Sequence, residues 1–237
     1  RGKIISLVEK SFLSVDDNLK DHVNAAISEV RAKSKIHANK LYGIGIGMHG
    51  IVDTKKDITV FVPAMALRNV IIKPFVEKEQ GLSVIMENDA NAMAMGERWF
   101  GNAKELNEFI FVNAGKGIGA GIIIHGENYY GKNYAAGEIG HIRVADNGQK
   151  CVCGHYGCLD TVATEHSLIR DVKKELRAGV SSLVPRLVDG DIEKIDLHTI
   201  ITAADLGDQC AKEALSKVGR HIGVAMSYVI NILNPER

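Results

Sequence analysis

The chain has no excess charge of either sign: 29 Lys+Arg balance 29 Asp+Glu, leaving a formal net charge of zero with histidine neutral. Backbone binding to nucleic acid needs a basic patch or stripe, and none stands out along these residues. Long apolar runs are also missing. None reaches the ~18 residues that a spanning helix requires, so no membrane partner is expected. No secretory h-region opens the sequence. Cysteine is scarce, at 4 of 237 residues, and three of the four crowd into one segment. That distribution excludes a disulfide scaffold and points to a metal site in a reducing compartment, with the cytoplasm the expected location. What is present is ordinary for a folded protein. Apolar content of 46% and charged content of 24% argue against disorder, and the length allows one large or two small domains with real cores.

The most informative stretch runs from Gly137 to Asp160, GEIGHIRVADNGQKCVCGHYGCLD. Thiolate and imidazole are the borderline-soft ligands that tetrahedral zinc prefers, and Cys₃His is a common closed structural site. Cys151, Cys153 and Cys158 form CxCxxxxC, with Gly154 and Gly157 allowing the tight backbone that would gather three sulfurs around one ion. His141 is the expected fourth ligand, and His155, inside the cysteine loop, is its rival. The bland alternative is a set of reduced, unliganded thiols. Glu138 and Asp160 flank the presumed ligands, so the segment can hold a metal and also offer carboxylates to a polyhydroxyl ligand.

Along the chain, Lys3 to Val8 reads as a strand, and Leu19, Val23, Ala26, Ile27 and Val30 recur at helical spacing. Leu41 to Gly47 reads as a glycine-alternating strand ending in a tight loop at Gly50. Pro74 to Glu79 suggests a short helix with proline in its first turn. Val84 to Glu87 reads as a buried strand, and Ala90 to Phe100 is rich in helix formers. Phe109 to Asn113 and Ala120 to His125 read as strands about a glycine-rich turn. Thereafter the pattern is helical, over Ser167 to Ala178, Asp191 to Ile200 and Ala203 to Leu206. A long last helix follows, with Cys210, Ala214, Leu215, Val218, Ile222, Ala225, Met226, Val229 and Leu233 on its apolar stripe. Gly219 and Gly223, one turn apart, would admit a second backbone. A further strand is expected near Asn234 to Arg237, and both ends look trimmed from a longer polypeptide.

Two further motifs each carry two readings. Asn88-Asp89, at a strand-to-helix junction, can be a plain N-cap. It can also place a general base for a sugar hydroxyl at the carboxyl ends of the strands. Gly115-Lys116-Gly117-Ile118-Gly119-Ala120-Gly121 can cradle a phosphate on backbone N–H groups or simply turn a hairpin. The histidines at 22, 37, 49, 125, 166, 198 and 221 read as surface or core residues, and the methionines (48, 65, 86, 93, 95 and 226) as core filler. Cys210 reads as a buried small hydrophobe.

Taken in order, GIGIGMHGIVD (43–53), ENDANAMAMGERWFG (87–101), NAGKGIGAGIIIHG (113–126) with Gly131, Gly137 and Gly140-His141, and CVCGHYGCLD (151–160) resemble the ROK family of repressors, open reading frames and sugar kinases. The resemblance implies an α/β fold of the actin/hexokinase-like (ribonuclease H-like) kind in two lobes, incomplete at both ends. Residues 1–88 would form the N-terminal lobe, and 89–237 the C-terminal lobe with a zinc loop at 137–160. It also implies residue roles. Asp89 matches the catalytic base of the kinases and Asn88 a neighbouring sugar contact. Glu138 and His141 match residues that bind sugar hydroxyls, the other nitrogen of His141 lying on zinc. Asp160 stands where the family usually has a sugar-holding glutamate, one methylene longer. Asn69, in ALRNV, falls in a region near the sugar, and Leu67 replaces a frequent tryptophan.

Three departures bear on catalysis. The first phosphate loop of the kinases, DxGxT, is not in these residues. Lys116 replaces the threonine of their second phosphate loop, and His49 stands where proline is common. Phosphoryl transfer depends on positioning and charge neutralisation by such loops. Lys116 and the SSLVPRLVDGDIEKI segment (181–195) are more similar to the NagC/XylR-like repressor branch, whose members carry an N-terminal helix-turn-helix. The expectation is therefore a sugar-sensing effector domain with a structural zinc. It would bind a monosaccharide or sugar phosphate in the interlobe cleft, reach DNA through a helix-turn-helix outside these residues, and assemble as a homodimer or homotetramer. The alternative is an ATP- and Mg²⁺-dependent sugar kinase using Asp89, with Gly115, Lys116, Gly117 and Gly119 on the nucleotide. A third reading is a sensor of the metal itself.

Overall fold

The computed structural model describes residues 3–11, 19–62 and 67–237; Met65 lies outside them. The chain divides into two compact units, residues 1–107 with 121–136, and residues 108–120 with 137–237.

In the first unit two parallel strands fix the geometry. β1 (Ile44–Met48) pairs with β5 (Val84–Asn88), in register from Ile44 opposite Val84 to Met48 opposite Asn88. Between them runs an antiparallel meander of β2 (Ile51–Asp53), β3 (Ile58–Val62) and β4 (Leu67–Val70). Helices α1 (Leu19–Ser34) and α2 (Lys73–Gln80) complete a core of Val52, Ile72, Val76, Val84 and Met86, with Leu19, Val23 and Ile27 of α1 packed against it. Each such fully buried aliphatic side chain contributes on the order of 2 kcal/mol. Proline opens α2, and Gly81, at φ 65°, closes it. α3 (Asp89–Phe100) follows β5 directly.

This unit extends beyond residue 88 because α3 is held against the later strands. β7 (Ile118–Ile124) and β8 (Glu127–Asn128) pair antiparallel through Ile123–Asn128 and Ile124–Glu127. A Cβ on Gly121 would meet Ala90 O and Ala94 Cβ, each at 2.5 Å. Only glycine lets β7 approach α3 this closely.

The second unit contains β6 (Phe109–Ala114), the start of β7, and helices α4 (Asp160–Ala163), α5 (Glu165–Arg177), α6 (Leu197–Asp205) and α7 (Gln209–Leu233). The apolar stripe of α7 serves two cores. Ala211, Ala214, Leu215 and Val218 face Leu168, Val172, Val184 and Ile200. Ile222, Ala225, Met226, Val229 and Leu233 face Ile118, Ile139 and Leu159. The helix starts are capped by side chains: Thr164 accepts from Ser167 N, Asp196 from Thr199 N, and Asp208 from Ala211 N. Cys210 is buried. Residues 236 and 237 run beside β6, with Glu236 N donating to Glu108 O and Ile110 N to Arg237 O.

Several expectations change. Residues 3–8 form no strand, and Ile4, Ile5 and Leu7 are exposed. A strand exists only through its ladder partners, and none among the described residues supplies them. Within Asp191 to Ile200, a 3₁₀ turn (Ile192–Lys194) precedes the cap Asp196, so the helix starts only at Leu197. Among the described residues nothing lies within 4 Å of a Cβ at Gly219 or Gly223, so none of their backbone packs there. Met86 is buried as core filler, whereas Met93 is exposed on α3. No helix among the described residues is long and apolar enough to cross a membrane.

Candidate functional site

The first cluster of polar groups forms where β1 and β5 end side by side. Asn88 leaves β5 with extended backbone and caps α3, its Oδ1 accepting from Asn91 N at 3.0 Å. Its Nδ2 donates to Gly50 O at 2.9 Å, tying the cap to the loop after β1. Gly50 has φ +89°, and a Cβ there would strike Phe61 O, so this turn requires glycine. The capping role thus falls on Asn88, and Asp89 is the first helical residue. Asp89 Oδ1 accepts from Ala90 N at 3.0 Å, while Oδ2 lies 3.6 Å from His49 Nδ1. Burial raises the Asp89 carboxyl, but His49 and the local N–H groups outweigh it, leaving the group below the ordinary aspartate value. His49, read as a surface or core histidine standing where proline is common, is therefore a partner of Asp89. Its position directly before Gly50, in the loop after a strand, was the available signal.

Beneath this pair, Glu87 accepts from Asn88 N at 2.7 Å, Asn91 Nδ2 at 3.3 Å and Tyr130 Oη at 2.8 Å. Asn69 is exposed on β4, with φ 52°.

The second cluster lies wholly in the other unit. Ligand atoms of His141, Cys151, Cys153 and Cys158 all fall within 4.8 Å of one another. Cys151 Sγ is 3.4 Å from His141 Nδ1, and Cys153 Sγ is 3.6 Å from Cys158 Sγ. A zinc tetrahedron with arms of about 2.3 Å to sulfur and about 2.0 Å to nitrogen has edges of roughly 3.5 to 3.8 Å. The donor set and its spacing fit that ion, which would crosslink the turn at 139–141 to the cysteine loop. The thiols by themselves are electrostatically uneven. Burial pushes Cys158 up to about 12 and also raises Cys151. Cys153 is held at about 6, because the backbone N–H and ring of His155 outweigh burial. A divalent cation supplies the charge that lets all three sulfurs ionise. His155 Nδ1 lies 3.5 Å from Cys153 Sγ on the exposed side and stands outside the four-residue group.

His141 has two faces. Nδ1 points to the sulfurs, and Nε2 is 3.7 Å from Glu138 Oε2. Glu138 precedes and His141 ends one short 3₁₀ turn (Ile139–His141), and His141 N donates to Glu138 O. Asp160 opens α4, and its Oδ1 accepts from Ile118 N at 2.9 Å.

The glycine-rich segment is the tip of the β6–β7 hairpin. Gly115 N donates to Gly117 O at 3.0 Å, Gly115 O accepts from Glu165 N at 2.9 Å, and Lys116 is exposed. Two of the N–H groups that a phosphate cradle would use, those of Gly115 and Ile118, are therefore already donated. One of them is donated to a carboxylate. Gly119 lies within β7.

Residues 6–237 match the family model described as ROK family. The chain is 35% identical over 197 residues to a putative xylose repressor of Caldicellulosiruptor sp. (strain Rt8B.4), an alignment covering 83% of this chain and 49% of that protein. The chain thus spans about half the length of that relative. Among solved structures, a ROK family transcriptional regulator homologous to the Escherichia coli MLC protein aligns with TM-score 0.79 and 31% identity, over 93% of this chain and 54% of that one. A ROK family glucokinase from Streptomyces griseus, in complex with glucose and AMPPNP, aligns with TM-score 0.84 and 32% identity, over 93% and 70%. The chain belongs to the ROK family, with its actin/hexokinase-like α/β fold.

Proposed function

We propose that this chain is the sugar-sensing effector domain of a ROK transcriptional regulator, with a structural zinc on His141, Cys151, Cys153 and Cys158. Asn88, Asp89, Glu138 and His141 keep the sugar-hydroxyl contacts that the family resemblance implies for each of them. The observation that carries this reading is the two-faced imidazole of His141, 3.4 Å from Cys151 Sγ through Nδ1 and 3.7 Å from Glu138 through Nε2. A metal on one nitrogen fixes the ring, its tautomer and the adjacent carboxylate. The turn then meets a polyol as a preset donor and acceptor pair.

The regulator reading is favoured over the kinase by the hairpin at 115–118. Its N–H groups at Gly115 and Ile118 are donated within the protein, and the Asp160 carboxylate lies against it. A sugar that acts as inducer must bind one conformer better than another. The DNA-binding part, the assembly and the operator belong to the whole protein and rest on the xylose repressor and the regulator that this chain resembles.

Isothermal titration of the full-length, zinc-loaded protein against a panel of neutral hexoses and pentoses and their phosphates, beside a coupled ADP-release assay, tests the reading. Sugar binding without ADP release supports it. Robust turnover abolished by Asp89→Ala would establish the kinase instead, and no binding of any sugar would end the carbohydrate reading.

A further inference from the structure

We propose that His49 is a positioning residue for Asp89, its ring nitrogen aiming the Asp89 carboxylate so that Oδ2 serves as a set acceptor for a ligand hydroxyl. The register of the two parallel strands is the first observation that carries this. Met48 stands opposite Asn88 in the last pair of β1 on β5. Neighbouring strands lie about 4.8 Å apart, so the next residues, His49 and Asp89, leave the sheet side by side. The second observation is the contact they make there, His49 Nδ1 to Asp89 Oδ2 at 3.6 Å.

Both partners are held through the backbone. His49 lies between the end of β1 and Gly50, whose carbonyl accepts from Asn88 Nδ2 at 2.9 Å. Gly50 has φ +89°, and Phe61 O of β3 fills the place that a Cβ would take. The turn that carries His49 is thus seated on β3 and tied to the residue directly before Asp89. On the other side, Asp89 Oδ1 accepts from Ala90 N at 3.0 Å, which fixes one carboxylate oxygen and turns the other toward His49. The pair is open to a ligand: the His49 side chain is 50% exposed and that of Asp89 29%.

At 3.6 Å the His49 contact is longer than a hydrogen bond. It therefore orients Oδ2 electrostatically and leaves that oxygen capacity to accept from a hydroxyl. The direction of the Asp89 shift agrees, since His49 and the local N–H groups keep the carboxyl below its ordinary value against burial. A carboxylate held further below the working pH is a poorer general base, yet it still accepts a hydrogen bond. The arrangement suits holding an O–H more than taking its proton. The ligand class that follows is a neutral polyol, bound with its hydroxyls intact.

The consequence for the ligand rests on the sugar-binding reading, but the pair itself is tested without any ligand. Asparagine carries its amide nitrogen on Cγ, as histidine carries Nδ1, so His49→Asn keeps a donor near the same place and His49→Ala keeps none. In the sugar-free protein, NMR titration of the Asp89 carboxyl carbon is expected to show the pKa raised in His49→Ala and closer to wild type in His49→Asn. No rise in His49→Ala, or equal rises in the two, would overturn the proposal. Calorimetric titration of the full-length, zinc-loaded protein with D-xylose, D-glucose and N-acetyl-D-glucosamine then reads the effect on binding. His49→Ala is expected to weaken whichever of these binds by about fivefold, and His49→Asn to regain most of that loss. Equal losses in the two variants would mark a packing role for the ring and overturn the proposal, as would unchanged affinity in His49→Ala. If the wild-type protein binds none of the three, the sugar reading suffers, while the carboxyl titration still decides whether His49 sets Asp89.

Discussion

The hydroxyl of Tyr130 donates to Glu87 Oε2 at 2.8 Å, and the other oxygen of that carboxylate holds Asn88 N at 2.7 Å and Asn91 Nδ2 at 3.3 Å. Glu87 thereby joins the segment after β8 to the junction that presents Asn88 and Asp89. Burial foremost, and then Glu87, pushes the Tyr130 phenol up to about 12 from its ordinary 10.0. A raised pKa favours the neutral form, so the stability that this bond contributes is complete below the ordinary value and is lost as pH climbs toward about 12. Tyr130→Phe is expected to lower stability by about 1 kcal/mol at neutral pH. Denaturant midpoints measure the loss, and phenolate absorbance should show one late-titrating tyrosine missing in the variant.

Asp89 and His49 make a second pH-dependent pair, 3.6 Å apart. Although burial opposes it, the Asp89 carboxyl lies below its ordinary value because of His49 and the N–H groups at the start of α3. Its contribution to stability is present above the ordinary aspartate pKa and is lost as pH falls through the depressed one. His49→Ala should move the Asp89 pKa upward, read directly from the carboxyl carbon shift in an NMR titration. No upward movement would mean that the helix N–H groups alone set its charge.

Metal content follows from the four-ligand geometry. One zinc per chain is expected, lost in Cys153→Ser and His141→Ala and retained in His155→Ala, by elemental analysis of the purified variants. Removing the ion with a chelator should cost stability on the order of 10 kcal/mol in the favourable limit, because the ligands do not converge in the unfolded chain. Thermal melts with and without chelator measure it. Retention in His141→Ala with loss in His155→Ala would reverse the assignment.

These pairs show what the sequence could and could not reveal. The His/Cys quartet that could hold a metal was legible because three of its members lie within eight residues and cysteine has little other reason to cluster there. The stripe of α7 was legible because its helical period holds over 25 residues. The Asn88 cap was anticipated as a position, though as a rival to the catalytic reading and not as its neighbour. Side-chain contacts between residues far apart in the sequence were not legible. Tyr130 and Glu87 are 43 positions apart, and Ile118 and Asp160 are 42. Only the folded chain brings such residues together, Tyr130 after β8 onto Glu87 in β5 and Ile118 at the start of β7 onto Asp160 at the start of α4. The meander β2–β4 leaves no signal in the sequence, since strands of 3 to 5 residues with a bulge at Ile51/Val52 are too short for alternation to emerge.

Glycines of opposite consequence give the final prediction. At Gly121 a methyl would lie 2.5 Å from both Ala90 O and Ala94 Cβ, with backbone on one side that has no room to yield. Gly121→Ala should therefore destabilise by about 1–3 kcal/mol as overpacking, and should loosen α3 together with the Asn88-Asp89 junction at its start. Gly219 and Gly223 sit inside α7 with nothing within 4 Å of an added Cβ. Alanine there removes the conformational cost of glycine in a helix, and each change should stabilise by about 1 kcal/mol. Denaturant unfolding of the three single variants decides the matter. A loss of stability at Gly219 or Gly223 would mean that this helix face packs against something in solution, and the small residues would then have the role their spacing suggested.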